Sequence, residues 1–150
     1  MLATLTTSPA GRAVVTGARV AIGALFVVAG VLKMGDPTAF ANDIAHYQLF
    51  PALAPWLAAT LPALEIVVGL ALVVLPSPWK RAAALCAGAL LLMFTAAASS
   101  AVARGLDVSC GCFGSGSGTV GWTTLLRDAG LLVLAGLALL PGAAPARRGA

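Results

Sequence analysis

The sequence predicts an all-α membrane protein: a bundle of four transmembrane helices, with a short amphipathic helix lying in the interface after the first span. Three observations carry this. The 150-residue chain is 60% hydrophobic and only 9% charged, against about 25% charged residues in a soluble domain. Four apolar runs, roughly 14–32, 57–75, 82–102 and 122–140, each approach or reach the ~20 residues that cross a hydrocarbon core. Basic residues are divided unevenly between the connections. Links this short leave residues 1–150 as one integral membrane domain, with little room for a soluble one.

The first run follows Arg12 and resembles a signal peptide only superficially. It is longer than a 7–15-residue signal core and no small-x-small cleavage site follows Lys33, so it reads as a retained helix. Arg12, Arg19, Lys80, Arg81, Arg147 and Arg148 fall on the side shared by both termini and the second connection; Lys33, Arg104 and Arg127 fall on the other. The positive-inside rule places the richer side in the cytoplasm of a multi-pass plasma-membrane protein, with the first and third connections outside. The formal charge of +4 is thus a topology signal. Scattered single and paired cations form no basic face, which excludes nucleic acid as a partner.

After the first span, Asp36-Pro37 suits a helix N-cap followed by proline at the first helical position. Phe40, Ile44 and Tyr47 then share one stripe, with Asn42, Asp43 and His46 elsewhere around the helix, the pattern of an amphipathic helix in the interface plane. Trp56, Trp79 and Trp122 fall at membrane borders, as an aromatic belt would. Pro62, inside the second span, removes a backbone donor and is expected to kink it. Small residues such as Gly23, Gly30, Gly69, Gly88, Gly130 and Gly136 read as close helix–helix packing. Cys86, in the third run, reads as a small core residue.

The chemistry concentrates at Ser109-Cys110-Gly111-Cys112-Phe113-Gly114, in a Gly/Ser-rich loop on the outer side, where disulfides persist. A disulfide closing so small a ring confines the unfolded chain very little and is strained. Strained, accessible disulfides are the exchangeable ones. Cys110 and Cys112 are therefore the candidate catalytic residues. Glu65 lies about nine residues, roughly 12 Å, into the second span, and Arg127 lies at comparable depth in the fourth. A charge in hydrocarbon costs at least ~2.5–3.5 kcal/mol and should face a partner inside the bundle. Glu65 is expected to meet Arg127 or Lys33; with Asp128 these form a polar floor beneath the cysteine loop. Such a floor suits stabilising a thiolate, relaying a proton or holding a quinone-like head group. An assembly salt bridge without chemistry is the plainer alternative.

Several features coincide, in order, with a known family. Gly30-x-x-Lys33-x-x-Asp36-Pro37, Tyr47, Leu61-Pro62-x-x-Glu65-x-x-x-Gly69, Phe94, Arg104-Gly105, Cys110-Gly-Cys112-Phe113-Gly114 and Leu126-Arg127-Asp128 resemble the MauE family of methylamine-utilisation membrane proteins, within the wider DoxX-like group. The resemblance covers about residues 12–140. It implies a four-helix membrane protein in redox work, linked to maturation of the disulfide-rich small subunit of methylamine dehydrogenase and accompanied by thioredoxin-like partners.

The residues and the resemblance together point to a membrane thiol–disulfide oxidoreductase, or an electron-transfer accessory to one. Its partner would be an extracytoplasmic thioredoxin-fold protein, and a membrane quinone is the candidate cofactor. The order of attack at the two cysteines is left open. A copper-binding membrane protein is the alternative, because a Cys-x-Cys pair is also a soft-metal site, with Met34 as the nearest extra ligand. Structural zinc needs about four ligands, and His46 is the sole histidine. A non-catalytic accessory subunit is the third reading.

Overall fold

The computed structural model of the protein describes residues 8–108 and 120–141, and its described residues form helices and no strands. The long helices are α1 (Pro9–Gly35), α3 (Ala54–Val74), α4 (Ser77–Ala103) and α5 (Trp122–Leu139); the short α2 (Pro37–His46) and one 3-10 turn (Pro51–Leu53) join α1 to α3. Three segments, Pro9–Gly35, Pro51–Val74 and Pro78–Ala103, are long and apolar enough to cross a membrane. The fourth predicted run is helical too, but α5 has only 18 residues. At 1.5 Å per residue it spans about 27 Å, a little short of a ~30 Å hydrocarbon core.

Helix starts are set by local chemistry. The Ser8 side chain accepts a hydrogen bond from Gly11 N–H at 3.0 Å, with Pro9 at the first helical position, so α1 begins five residues before the apolar run. Asp36 does the same for α2, accepting from Ala39 N–H at 2.9 Å ahead of Pro37. Helix α2 closes on Gln48, whose φ of 52° puts a non-glycine residue in the left-handed region. Helix α4 ends in a Schellman motif: Gly105 takes φ 65°, its N–H bonds Val102 C=O, and Leu106 N–H bonds Ala101 C=O. The hydroxyls of Thr95, Ser99 and Ser100 in α4 donate back to carbonyls of their own helix, which satisfies them without water.

Helix α1 is the organising element, running antiparallel to α3 and α5. Glycine permits the closest crossing. A Cβ on Gly23 would lie 2.8 Å from the Gly69 carbonyl oxygen, one on Gly69 would lie 2.6 Å from that of Gly23, and one on Gly30 would lie 2.7 Å from that of Pro62. Gly88, Gly130 and Gly136 have nothing within 4 Å of such a Cβ, so their expected packing role does not hold. Pro62 lies buried inside α3, which carries on to Val74. The core follows α1 and α3 through Ile22, Phe26, Val68 and Leu72 and is completed by alanines of α4 and α5.

Arg19, assigned by sequence to the cytoplasmic charge tally, is buried and structural. Its Nε donates to Ala138 C=O at 3.0 Å and its Nη2 to Leu140 C=O at 2.8 Å. A cation thereby caps the negative end of the α5 dipole. Cys86 corrects another expectation: it is an exposed, free thiol on α4, because its neighbours Ala84 and Ala87 take the inward positions instead. Trp56, Trp79 and Trp122 are all largely exposed at the first turns of α3, α4 and α5.

Candidate functional site

Four charged side chains converge between α1, α3 and α5. Lys33, three residues beyond the Gly30–Pro62 crossing, is 3% exposed and Glu65 is 2% exposed. Lys33 Nζ donates to Glu65 Oε1 at 2.5 Å. Of the two partners the sequence offered Glu65, the structure brings up Lys33. The reason is the glycine contact: with no side chain at Gly30, α1 approaches α3 until its next inward turn meets Glu65.

Arg127 instead lies against its chain neighbour, with Nη2 3.6 Å from Asp128 Oδ1. The Arg127 side chain is 37% exposed; Asp128 is 4% exposed and turned inward. Even so, Lys33, Glu65, Arg127 and Asp128 line one cavity of about 30 Å³ with Phe26 and Phe94. That volume suffices for a water molecule. Glu65 Oε2 is buried without a hydrogen-bond partner among the described residues. A buried charge pair needs its remaining lone pairs satisfied to offset desolvation, so this oxygen marks a place where a proton or a small polar molecule is favoured.

The Lys33 ammonium also lies over two aromatic faces, 4.8 Å from the Phe94 centroid and 5.2 Å from that of Phe40. Each such contact, once desolvated, contributes about 0.5–2 kcal/mol. The two rings belong to α4 and α2, so one cation ties three helices together. Phe40 is the only buried residue of α2.

Beyond Lys33 opens a larger cavity of about 390 Å³, between α2, the turn after it, α3 and α4. Its walls are mainly apolar, from Phe40, Ile44, Leu57, Leu61, Met93 and Phe94. Lys33, Asp43, Tyr47, Ser100 and Asp128 are its polar points. The sequence reading set Asp43 apart from the stripe of Phe40, Ile44 and Tyr47; in the fold it lines the cavity with them. Its position three residues after Phe40 was the available signal. His46 and Met34 are exposed. Among the described residues, no group of three or more His, Cys, Asp and Glu is placed to hold a metal ion.

Cys110 and Cys112 lie outside the described residues, but the ends of their segment are fixed. After the Schellman turn Val108 is buried, and its carbonyl accepts from Val120 N–H at 2.9 Å. Arg104 donates to the Tyr47 carbonyl at 2.5 Å, so the last residue before this turn is joined to the cavity rim.

Comparison with known proteins extends this picture. The family model described as methylamine utilisation protein MauE matches residues 11–141. A methylamine utilization protein MauE of Paracoccus denitrificans is 38% identical over 136 residues, covering 85% of this chain and 70% of its own. No solved structure matches.

Proposed function

The chain belongs to the MauE family of methylamine utilisation proteins, and from that premise we propose that it is a membrane thiol–disulfide oxidoreductase acting through Cys110 and Cys112. The supporting observation is the closure of the cysteine segment at its base. Val108 and Val120 are hydrogen-bonded to each other, and Arg104 holds that base to the rim of the large cavity. Cys110 follows Val108 by two residues in the sequence.

All four long helices span the membrane in this reading, with α5 completing the bundle, both termini cytoplasmic and α2 in the outer interface. Arg12, Lys80 and Arg81 lie at one end of the bundle and Lys33, Arg104 and Arg127 at the other, which supports that orientation. The partner is an extracytoplasmic thioredoxin-fold protein. Its thiolate attacks one sulfur of the Cys110–Cys112 disulfide, breaking the S–S bond and forming a mixed disulfide. The partner's second thiol then releases an oxidised partner and two cysteine thiols on this chain. Lys33, Glu65, Arg127 and Asp128 are the polar cluster that supplies charge and proton capacity to this exchange.

Trapping tests this reading. Cys110→Ser and Cys112→Ser, expressed separately, should leave one of the two enriched at least tenfold in a reductant-sensitive adduct with a thioredoxin-fold protein. Cys86→Ala, on the exposed face of α4, should leave that adduct unchanged. The reading fails if neither variant forms an adduct and membrane-impermeant thiol reagents never label the reduced wild type.

A further inference from the structure

We propose that the 390 Å³ cavity between α2, α3 and α4 binds the head group of a membrane quinone. The inference rests on the thiol–disulfide reading for its consequence, since a quinone can accept the two electrons that such a pair releases.

Size comes first. A volume of about 390 Å³ falls within the range of small-molecule sites, which are mostly apolar with a few placed polar groups. It holds a substituted six-membered ring and the first unit of an apolar tail, and is far larger than a metal ion or a methylated amine needs. The mouth is apolar as well. Leu49 and Phe50 line it and are 42% and 65% exposed, and Leu53 and Trp56 stand exposed in the adjoining turns. A ligand with a long hydrocarbon tail can therefore keep that tail in lipid while its head enters.

Charge then selects the head. Lys33, Asp43 and Asp128 are the charged groups lining the cavity; Lys33 is paired to Glu65, and Asp128 lies 3.6 Å from Arg127. An acyl carboxylate or a phospholipid phosphate would be desolvated beside Lys33, the lining cation, whose charge Glu65 already offsets. A lipidic cation would meet an ammonium at the inner end. A neutral molecule carrying carbonyl acceptors meets neither penalty. Lys33 gives one N–H to Glu65 and keeps donors for a carbonyl oxygen. Phe40 and Phe94, whose faces flank the ammonium, offer ring surfaces beside which a flat conjugated ring packs.

The chemistry balances. Two thiols give two electrons and two protons; the quinone takes both and becomes a quinol, and one S–S bond forms. The inner wall of the cavity is shared with the small polar chamber through Lys33 and Asp128, so protonatable groups adjoin the place where the quinone oxygens would be reduced.

Photo-crosslinking to the full-length protein in lipid vesicles tests this, with an azido-ubiquinone probe and peptide mapping. Labelling is expected in residues 40–50 and 93–100, displaced by excess decylubiquinone and not by oleate. Ala97→Phe, which fills the cavity from α4, should lower labelling at least tenfold; if that variant does not fold, Ala97→Leu carries the same test. The Cys110→Ser/Cys112→Ser double variant should label as wild type does, so quinone binding and thiol chemistry can fail separately. Labelling elsewhere, equal displacement by oleate, or undiminished labelling of a folded cavity-filled variant overturns the proposal.

Discussion

Replacing Glu65 by glutamine removes one charge while keeping shape, and leaves the Lys33 ammonium, 3% exposed, without its carboxylate. Breaking a buried ion pair by removing one partner costs about 3–5 kcal/mol, and an uncompensated cation in hydrocarbon costs at least ~2.5–3.5 kcal/mol on insertion scales. Lys33 retains the faces of Phe40 and Phe94 at 5.2 and 4.8 Å, which offset about 1 kcal/mol of that. The expected loss for Glu65→Gln is therefore about 2–3 kcal/mol, with a similar loss for Lys33→Met, which strands the carboxylate. The double variant Lys33→Met/Glu65→Gln removes both charges of the pair and should lose only about 1–2 kcal/mol, giving a coupling of about 3 kcal/mol. Unfolding by sodium dodecyl sulfate from mixed micelles, followed by far-ultraviolet circular dichroism, measures all three against wild type. Asp107→Asn, at an exposed site, serves as control and should shift stability by less than about 0.5 kcal/mol. Additive losses in the double variant, or single losses no larger than the control, would show that the pair does not hold α1 to α3.

Two further outcomes follow from the packing of α1. Gly69→Ala should lose about 1–3 kcal/mol in the same assay, because its Cβ would sit 2.6 Å from the Gly23 carbonyl oxygen; Gly88→Ala, with open space around it, should be neutral or gain up to about 1 kcal/mol from helix propensity. Arg19→Met should lose two charge-assisted bonds to Ala138 and Leu140, about 1.5–3 kcal/mol each at most. Hydrogen exchange should then accelerate in the last turn of α5 while α3 stays protected; uniform exchange across both helices would refute the capping role.

The composition and the four apolar runs were enough to determine a helical membrane chain, because hydrophobic length is a one-dimensional property. Asp36-Pro37 marked the start of α2 for the same kind of reason, since a cap acts within three residues of its own position. The sequence also singled out Lys33, Glu65, Arg127 and Asp128, because ionisable groups stand out in apolar stretches. Which of them pair, which glycines touch and where a cavity opens were decided only in three dimensions. Gly30 and Gly88 look alike as letters; one meets the Pro62 carbonyl and the other meets nothing. Arg19 looked like one more topology charge until α5 returned to place its last carbonyls beside it. Tertiary packing decides such cases because an interior contact depends on the rotation and approach of two helices distant in sequence. Lys33 meets Glu65 across 32 residues of chain, at a separation set by the absent side chain one turn away.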